Sequence, residues 1–285
     1  MTQTVLILGG RGKIGKHAAK AFKDAGWTVR LYDRAKKNMS EAAQGADVIV
    51  NGMNPANYHN WAGIIPQITS DVIAAAKASG ATVIVPGNIY NFGIVNGMID
   101  ADTPHRPCSK KGQIRVDMEA AYRASGVRTI NLRAGNFMDP DRNGDVFSML
   151  LTKNARKGSV TTLGDPQTMQ AYAYLPDWAR AAVMLSERRD TLARFEDIPF
   201  AGYAFTGEDL RDFVAREIGR NVSLKRFPWW VMTLASPFWE LAREFKEMRY
   251  LGDMSHSLSD AKLTRLLPDF IPTDQATALR ACLET

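Results

Sequence analysis

Cysteine is nearly absent. Cys108 and Cys282 are the chain's two, in no metal-ligand spacing, which excludes a disulfide framework and leaves a reducing compartment, the cytoplasm, as the expectation. Histidine is equally sparse: His17, His59, His105 and His256 are scattered without ligand spacing, so no metal site is expected. Long hydrophobic runs are missing too. The most apolar window, Phe227–Trp239 (FPWWVMTLASPFW), is uncharged but only thirteen residues long, against the roughly 20 needed to cross a bilayer. The first residues, MTQTVLILGG, have neither the basic flank nor the apolar length of a signal peptide and read as a strand. No low-complexity tract or internal repeat is present. The net charge of +6 is spread along the chain without an aromatic-interleaved basic motif, which argues against a nucleic-acid partner.

What remains is an ordinary globular composition, 45% hydrophobic and 23% charged over 285 residues, enough to bury a core without covalent staples. The first half alternates short β-rich apolar runs with longer amphipathic stretches. Strands are predicted at Thr4–Leu8, Thr28–Tyr32, Val48–Asn51, Thr82–Val85 and Arg128–Leu132, with helices at His17–Ala25 and Ser70–Ser79 closed by Gly26 and Gly80. That pattern implies an α/β fold with a doubly wound parallel sheet. Beyond about residue 137 the strands thin out, and helices are expected at Asp177–Leu185, at Thr206–Ile218 with Thr206 as N-cap, and at Trp229–Phe245 with a break at Pro237. Residues 1–150 are therefore read as one α/β domain with a return segment near 172–190. Residues 151–285 are read as a smaller, mostly helical substrate-side region interleaved with it.

The strongest motif is GGRGKIG. Gly9, Gly12 and Gly15 stand three apart where the first strand turns into the first helix, with Arg11, Lys13 and Ile14 between them. Glycines at this spacing let backbone amides approach a pyrophosphate at a positively polarised helix N-terminus. The second strand ends in Tyr32-Asp33-Arg34, so the context of an NAD(P) site is complete. Asp33 is placed to accept hydrogen bonds from ribose hydroxyls and to repel a 2′-phosphate, which favours NAD. Arg11 and Arg34 could instead clamp that phosphate and favour NADP, or stack on adenine, or stand in solvent.

The glycine spacing resembles the short-chain dehydrogenase/reductase superfamily, in particular its extended and atypical branches of nucleotide-sugar epimerases and dehydratases. Further segments are similar: ADVIVNGMNP to the family's fourth strand, VIVPGNIYNFG to its fifth, VRTINLRAGNF to its sixth with an LRPGN-like turn, and YLPDWARA (Tyr174–Ala181) to its YVDDVARA-type segment. The resemblance implies that Gly52, Met53, Asn54, Pro86 and Gly87 also line the cofactor, and that a small carbonyl or sugar-like molecule is the substrate. The family's chemistry rests on a Ser or Thr and a Tyr-x-x-x-Lys pair, in which the Lys lets the phenol exchange a proton near neutral pH. Aligned on Phe92-Gly93, this chain puts Asn88 at the Ser position, Lys111 at the Tyr and Arg115 at the Lys, with Glu119 to anchor Arg115. Tyr32 to Lys36 matches the spacing but falls at the adenosine end.

Tyr90 is then the candidate substitute acid. Were Asn88–Phe92 extended, Tyr90 would point where Asn88 points; the alternative is a buried packing tyrosine. Lys111 could act as an acid if burial depressed its pKa, and Arg115 could bind the nicotinamide ribose or an anionic substrate; both could also belong to a solvated basic helix face. Loss of turnover, leaving an NAD(P)-binding sensor or assembly protein, is the other reading of the missing catalytic set. Asp139–Asp145 copies the opening of a calcium loop but has Leu150 where the bidentate Glu belongs, so it reads as a turn. Cys108 has no base beside it in sequence. The aromatic cluster Phe227, Trp229, Trp230, Phe238 and Trp239 could pack the core of the second region, wall a pocket, line a homodimer interface or touch a membrane surface, with core packing the first expectation.

Overall fold

A computed structural model describes residues 2–283. Strand β1 (Thr4–Leu8) leads into helix α1 (Lys13–Asp24), β2 (Thr28–Leu31), a short α2 (Met39–Ala43), β3 (Val48–Asn51), α3 (Trp61–Ser79) and β4 (Thr82–Gly87). Next come β5 (Gly97–Ile99), α4 (Lys110–Ser125), β6 (Thr129–Arg133), β7 (Asn136–Met138), β8 (Ser159–Thr162), β9 (Gln170–Tyr174), α5 (Leu175–Glu187) and β10 (Phe195–Pro199). The last third adds β11 (Tyr203–Phe205), α6 (Gly207–Ile218), β12 (Ser223–Arg226), α7 (Trp229–Ala235), α8 (Glu240–Glu247), α9 (Tyr250–Asp253), β13 (His256–Leu258), α10 (Ala261–Leu266) and α11 (Gln275–Leu283).

Six strands form one parallel sheet in the order β10-β6-β4-β3-β1-β2. Its strands are continuous apolar runs because both faces are covered. Successive residues of β1 divide between two cores: Val5 and Ile7 meet α1 and α5 through Phe22, Trp178 and Ala182, while Leu6 and Leu8 meet α3 and α4 through Ile65, Val72, Met118 and Tyr122. Each fully buried Leu, Ile or Val contributes about 1.5–3 kcal/mol. The chain leaves β1 toward β2 on one side and returns to β3 on the other, so the switch point where open sheets bind ligands lies above β1 and β3.

The sixth strand corrects the sequence-based expectation. β10 reads FEDIP, whose two acids hide its strand character, yet both are accommodated: Asp197 meets Arg133 and Glu196 lies 2.5 Å from Lys262. The sheet thus draws on residues beyond the return segment expected near 172–190. The second region also holds more strand than expected. β7, β9 and β11 form one small sheet, β8 pairs with β12, and β5 pairs with β13 across most of the chain. These strands run only three to five residues, too short for a readable alternation. Tyr172 and Phe205 stack at 4.1 Å in their core, beside Phe147, Leu210 and Val214.

Candidate nucleotide site and its catalytic edge

Three glycines let the turn after β1 pack against the end of β3. Gly9 has φ +71°, and a Cβ there would lie 2.8 Å from the Gly52 carbonyl oxygen; one on Gly15 would lie 2.3 Å from the Gly9 oxygen. Gly52 closes the set against the Leu8 oxygen at 2.8 Å. All three are needed to bring β1, β3 and α1 together. Gly12 differs, since its added Cβ would find one neighbour within 4 Å, the Gly9 oxygen at 3.4 Å. Internal packing does not require glycine there, whereas close approach of an outside group would. Gly12 is the N-cap of α1, makes no side-chain cap and is followed by no acid in the first turn, so the leading amides lack intrahelical acceptors. A phosphate-bearing cofactor fits this cradle.

The expected nucleotide residues converge on this edge with unequal freedom. Arg11 and Arg34 are exposed and make no hydrogen bond or ion pair among the described residues. Ile14 packs onto the core, and Lys13 turns aside: its Nζ donates to the Gly144 oxygen at 2.9 Å, burial lowers its pKa, and Asp145 and Asp139 oppose that shift. Asp33 is half-exposed and accepts from the Ala35 amide at 3.0 Å, beside Leu31, which is 58% exposed. Gly10 lies against Leu31, where an added Cβ would come within 3.0 Å of Leu31 Cδ2. Met53 packs under the edge, Asn54 accepts from Arg115, and Pro86 and Gly87 end β4, where a Cβ on Gly87 would lie 2.6 Å from Asn131 Oδ1.

The edge where catalysis is expected departs from the sequence-based reading in four ways. Residues Tyr90–Phe92 form a single 3₁₀ turn rather than an extended segment, because Asn88 Oδ1 accepts from the Tyr90 amide at 3.0 Å and curls the chain. Asn88 is therefore occupied as a turn former, its carbonyl taken by Arg133, and Phe92 is buried in a cluster onto which Tyr90 also packs. Lys111 is 1% exposed, not part of a solvated face. Its Nζ binds Glu244 and lies 2.6 Å from Glu247 Oε2, and its amide donates to Glu247 Oε1 at 3.0 Å. Finally, Glu119 anchors Arg133 Nη2 at 2.8 Å instead of Arg115.

Sequence reasoning missed Tyr58. Its hydroxyl lies 3.1 Å from that of Tyr90, and its ring lies 5.2 Å from Trp61. Burial, then Tyr90, raises its pKa well above the usual phenol value. Tyr58 has φ +60°, between Asn57 at +54° and Asn60 at +41°. Asparagine tolerates this region, but an aromatic residue there is strained. Arg115 completes the group. Its guanidinium sits 4.9 Å from the Trp61 ring centroid, Nη2 lies 3.4 Å from Asn54 Oδ1, and Nε is buried without a partner among the described residues. Burial lowers the Arg115 pKa, while Tyr90, Glu119 and Tyr58 pull it back up.

Beneath this edge Arg133 is fully buried, held by Asp197 at 2.6 Å and Glu119 at 2.8 Å. Burial opposes its charge, but the two carboxylates more than restore it. His17, Asp139 and Asp141 come together although their spacing suggested nothing; His17 and Asp139 already pair at 2.8 Å, which binds α1 to the loop after β7 and turns the calcium-like segment inward. Among the aromatic cluster, Phe227 and Trp229 pack with Phe245, but Trp230, Phe238 and Trp239 stand exposed, correcting the expectation of core packing. Amphipathic logic misled here because the outer face is itself aromatic.

No family model and no curated protein matches this chain. Solved structures do. UDP-glucuronic acid 4-epimerase from Bacillus cereus, in complex with UDP-glucuronic acid and NAD, superposes with a TM-score of 0.79 at 15% identity over 99% of this chain and 98% of that one. MoeE5, in complex with UDP-glucose and NAD, gives 0.77 at 16% identity over 99% and 97%. A partial-consensus L-threonine 3-dehydrogenase gives 0.76 at 16% identity over 98% of both chains. The chain has their Rossmann-type fold, over its full described length.

Proposed function

We propose that this chain is an NAD(P)-dependent enzyme, with NAD favoured, that carries out redox, epimerase or dehydratase chemistry on a small carbonyl or sugar-like substrate. The observation that carries the reading is Gly12, a glycine at a helix N-terminus whose own neighbours leave room for a side chain. The half-exposed Asp33 carboxylate supports NAD, and the exposed Arg11 and Arg34 are placed for adenine or phosphate contacts. The bound nicotinamide would supply hydride transfer. NAD complexes of the epimerase and of MoeE5 on the same fold add support.

The protein's own part is proton transfer at Tyr90 Oη. Tyr58, kept protonated by burial, donates toward Tyr90 and stabilises negative charge there, and Arg115 supplies a positive field to both phenols. Backbone strain at Tyr58 is the kind of cost that folds retain at functional positions. Asn88 shapes the turn that aims Tyr90. Lys111, neutralised by two carboxylates, anchors α8 and is not the acid.

Calorimetric titration with NADH and NADPH, followed by turnover assays on UDP-sugars, tests this. We expect NADH to bind, and Tyr90→Phe to keep that affinity while lowering turnover by about 10²-fold or more. Failure of both cofactors to bind refutes the proposal. A second reading, a silent NAD(P) binder, is favoured by the locked Lys111. It requires wild type to bind NADH without turnover of any UDP-sugar.

A further inference from the structure

Four large side chains close together in the chain stand in solvent: Trp230 at 68% exposure, Leu234 at 69%, Phe238 at 94% and Trp239 at 48%. Trp230 and Leu234 are one helical turn apart on α7 and share a face, while Phe238 and Trp239 form the turn into α8. Residues 228–239 contain no charge. An aromatic projection of this kind marks a docking surface.

The opposite side of the same segment is anchored to the body. Trp229 Nε1 donates to the Leu163 oxygen at 2.5 Å and its ring stacks on Phe245. Of the three acids of α8, Glu244 and Glu247 turn inward to Lys111, and Glu240 pairs at the surface with His59 at 2.9 Å. With its acids engaged there, α8 leaves Arg243 and Lys246 exposed, and Lys225, Arg226 and Arg249 flank the segment, also exposed. Arg226 shares its charge with Asp165 at 3.1 Å, and Arg243 lies 3.6 Å from Glu244. The outer surface is thus aromatic and uncharged at its tip and cationic on both flanks. That combination complements an anionic bilayer, where tryptophan settles at the headgroup level and basic residues meet lipid phosphates.

We propose that α7 and the turn into α8 dock the protein on an anionic phospholipid surface. Trp230, Leu234, Phe238 and Trp239 enter the headgroup boundary, and Lys225, Arg243 and Lys246 lie over the phosphates. The segment lies on the membrane without crossing it. This inference is independent of the proposed activity, since none of these residues belongs to the nucleotide or tyrosine site.

Co-sedimentation of the full chain with vesicles of phosphatidylcholine containing about 30% phosphatidylglycerol tests it. We expect binding to these vesicles and not to pure phosphatidylcholine, release as salt rises, and a blue shift of tryptophan emission quenched by brominated lipid. The double variant Trp230→Ser, Phe238→Ser should lower partitioning by about tenfold or more with thermal stability and NADH affinity unchanged. Absence of binding at low salt, or wild-type binding by the double variant, overturns the proposal. So does a concentration-dependent dimer that the double variant dissociates, which would assign the face to a second copy.

Discussion

Gly12→Ala adds a single methyl group at the N-cap of α1. Gly12 has φ −80° and ψ 164°, extended backbone that alanine adopts freely, and the new Cβ meets only the Gly9 oxygen at 3.4 Å. The folding cost is that of alanine replacing glycine at an N-cap, about 0.5–1 kcal/mol, or a fall in Tm of roughly 1–4 °C. Gly15→Ala is the internal control. Its Cβ would lie 2.3 Å from the Gly9 oxygen and 2.8 Å from the Gly10 Cα, both backbone atoms that cannot yield, so a cost of about 3 kcal/mol and a Tm lower by roughly 6–12 °C are expected. For cofactor the contrast is different. A pyrophosphate lying over Gly12 would be pushed off the α1 amides, losing at least one charge-assisted hydrogen bond of about 1.5–3 kcal/mol, which weakens NADH about ten- to a hundredfold. Thermal unfolding and calorimetric titration of both variants measure the two effects separately. An unchanged NADH affinity in folded Gly12→Ala refutes the cradle, and unfolding of Gly12→Ala as severe as that of Gly15→Ala refutes the packing argument.

Other outcomes follow from single groups. Lys111→Met leaves Glu244 and Glu247 facing one another without a cation and should destabilise by about 3 kcal/mol in urea unfolding, with most of it restored when both glutamates become glutamine. Asp33→Ser keeps a cap for the Ala35 amide while removing the charge, so the NADH-to-NADPH affinity ratio should fall by about tenfold or more in a paired titration. His256 is buried, with Nδ1 2.9 Å from the Met254 oxygen and Nε2 3.4 Å from the Ala171 amide, an arrangement suited to the neutral ring. Burial lowers its pKa, and that of His105, below the usual value of about 6.5. The unfolded chain then binds the proton more readily. Stability is full above about pH 6.5 and declines as pH falls below it, and His256→Gln should flatten that decline in urea titrations run at a series of pH values.

Much of the fold could be read because it follows from local rules. β1 and β3 fall where β-branched apolar runs predict them, Gly80 ends α3 at φ +76°, and Thr206 opens α6 with a capping box, as its spacing to Asp209 permits. The glycine turn was equally readable as a turn, since its glycines answer to contacts within a few residues and one neighbouring strand. β10 was not, because the acids that disguise it are neutralised by Arg133 and Lys262, 64 and 66 residues away in the chain. Pairing of that kind leaves no periodicity behind.

The edge where catalysis was expected shows the same limit more sharply. Alignment on Phe92-Gly93 put Lys111 in the place of an acid, a position defined along α4 alone; its chemistry is set by Glu244 and Glu247, which lie 133 and 136 residues further on. Tyr58 reaches Tyr90 only because Asn57, Tyr58 and Asn60 take left-handed backbone, which no side-chain pattern announces. The two departures are linked through Lys111, whose Nζ also lies 5.3 Å from the centroid of the Tyr58 ring. Lys111 therefore joins α8 to the tyrosine pair, and the two glutamates that cancel its charge leave Arg115 as the cation available to the phenols. A chain without a Tyr-x-x-x-Lys pair on this helix can supply the same elements, a phenol and a guanidinium or ammonium, only from different segments, and here Tyr58 and Tyr90 precede the helix that carries Arg115. In a steady-state turnover assay Arg115→Met is expected to reduce turnover as strongly as Tyr90→Phe, whereas Lys111→Met, once its glutamates are neutralised, is not.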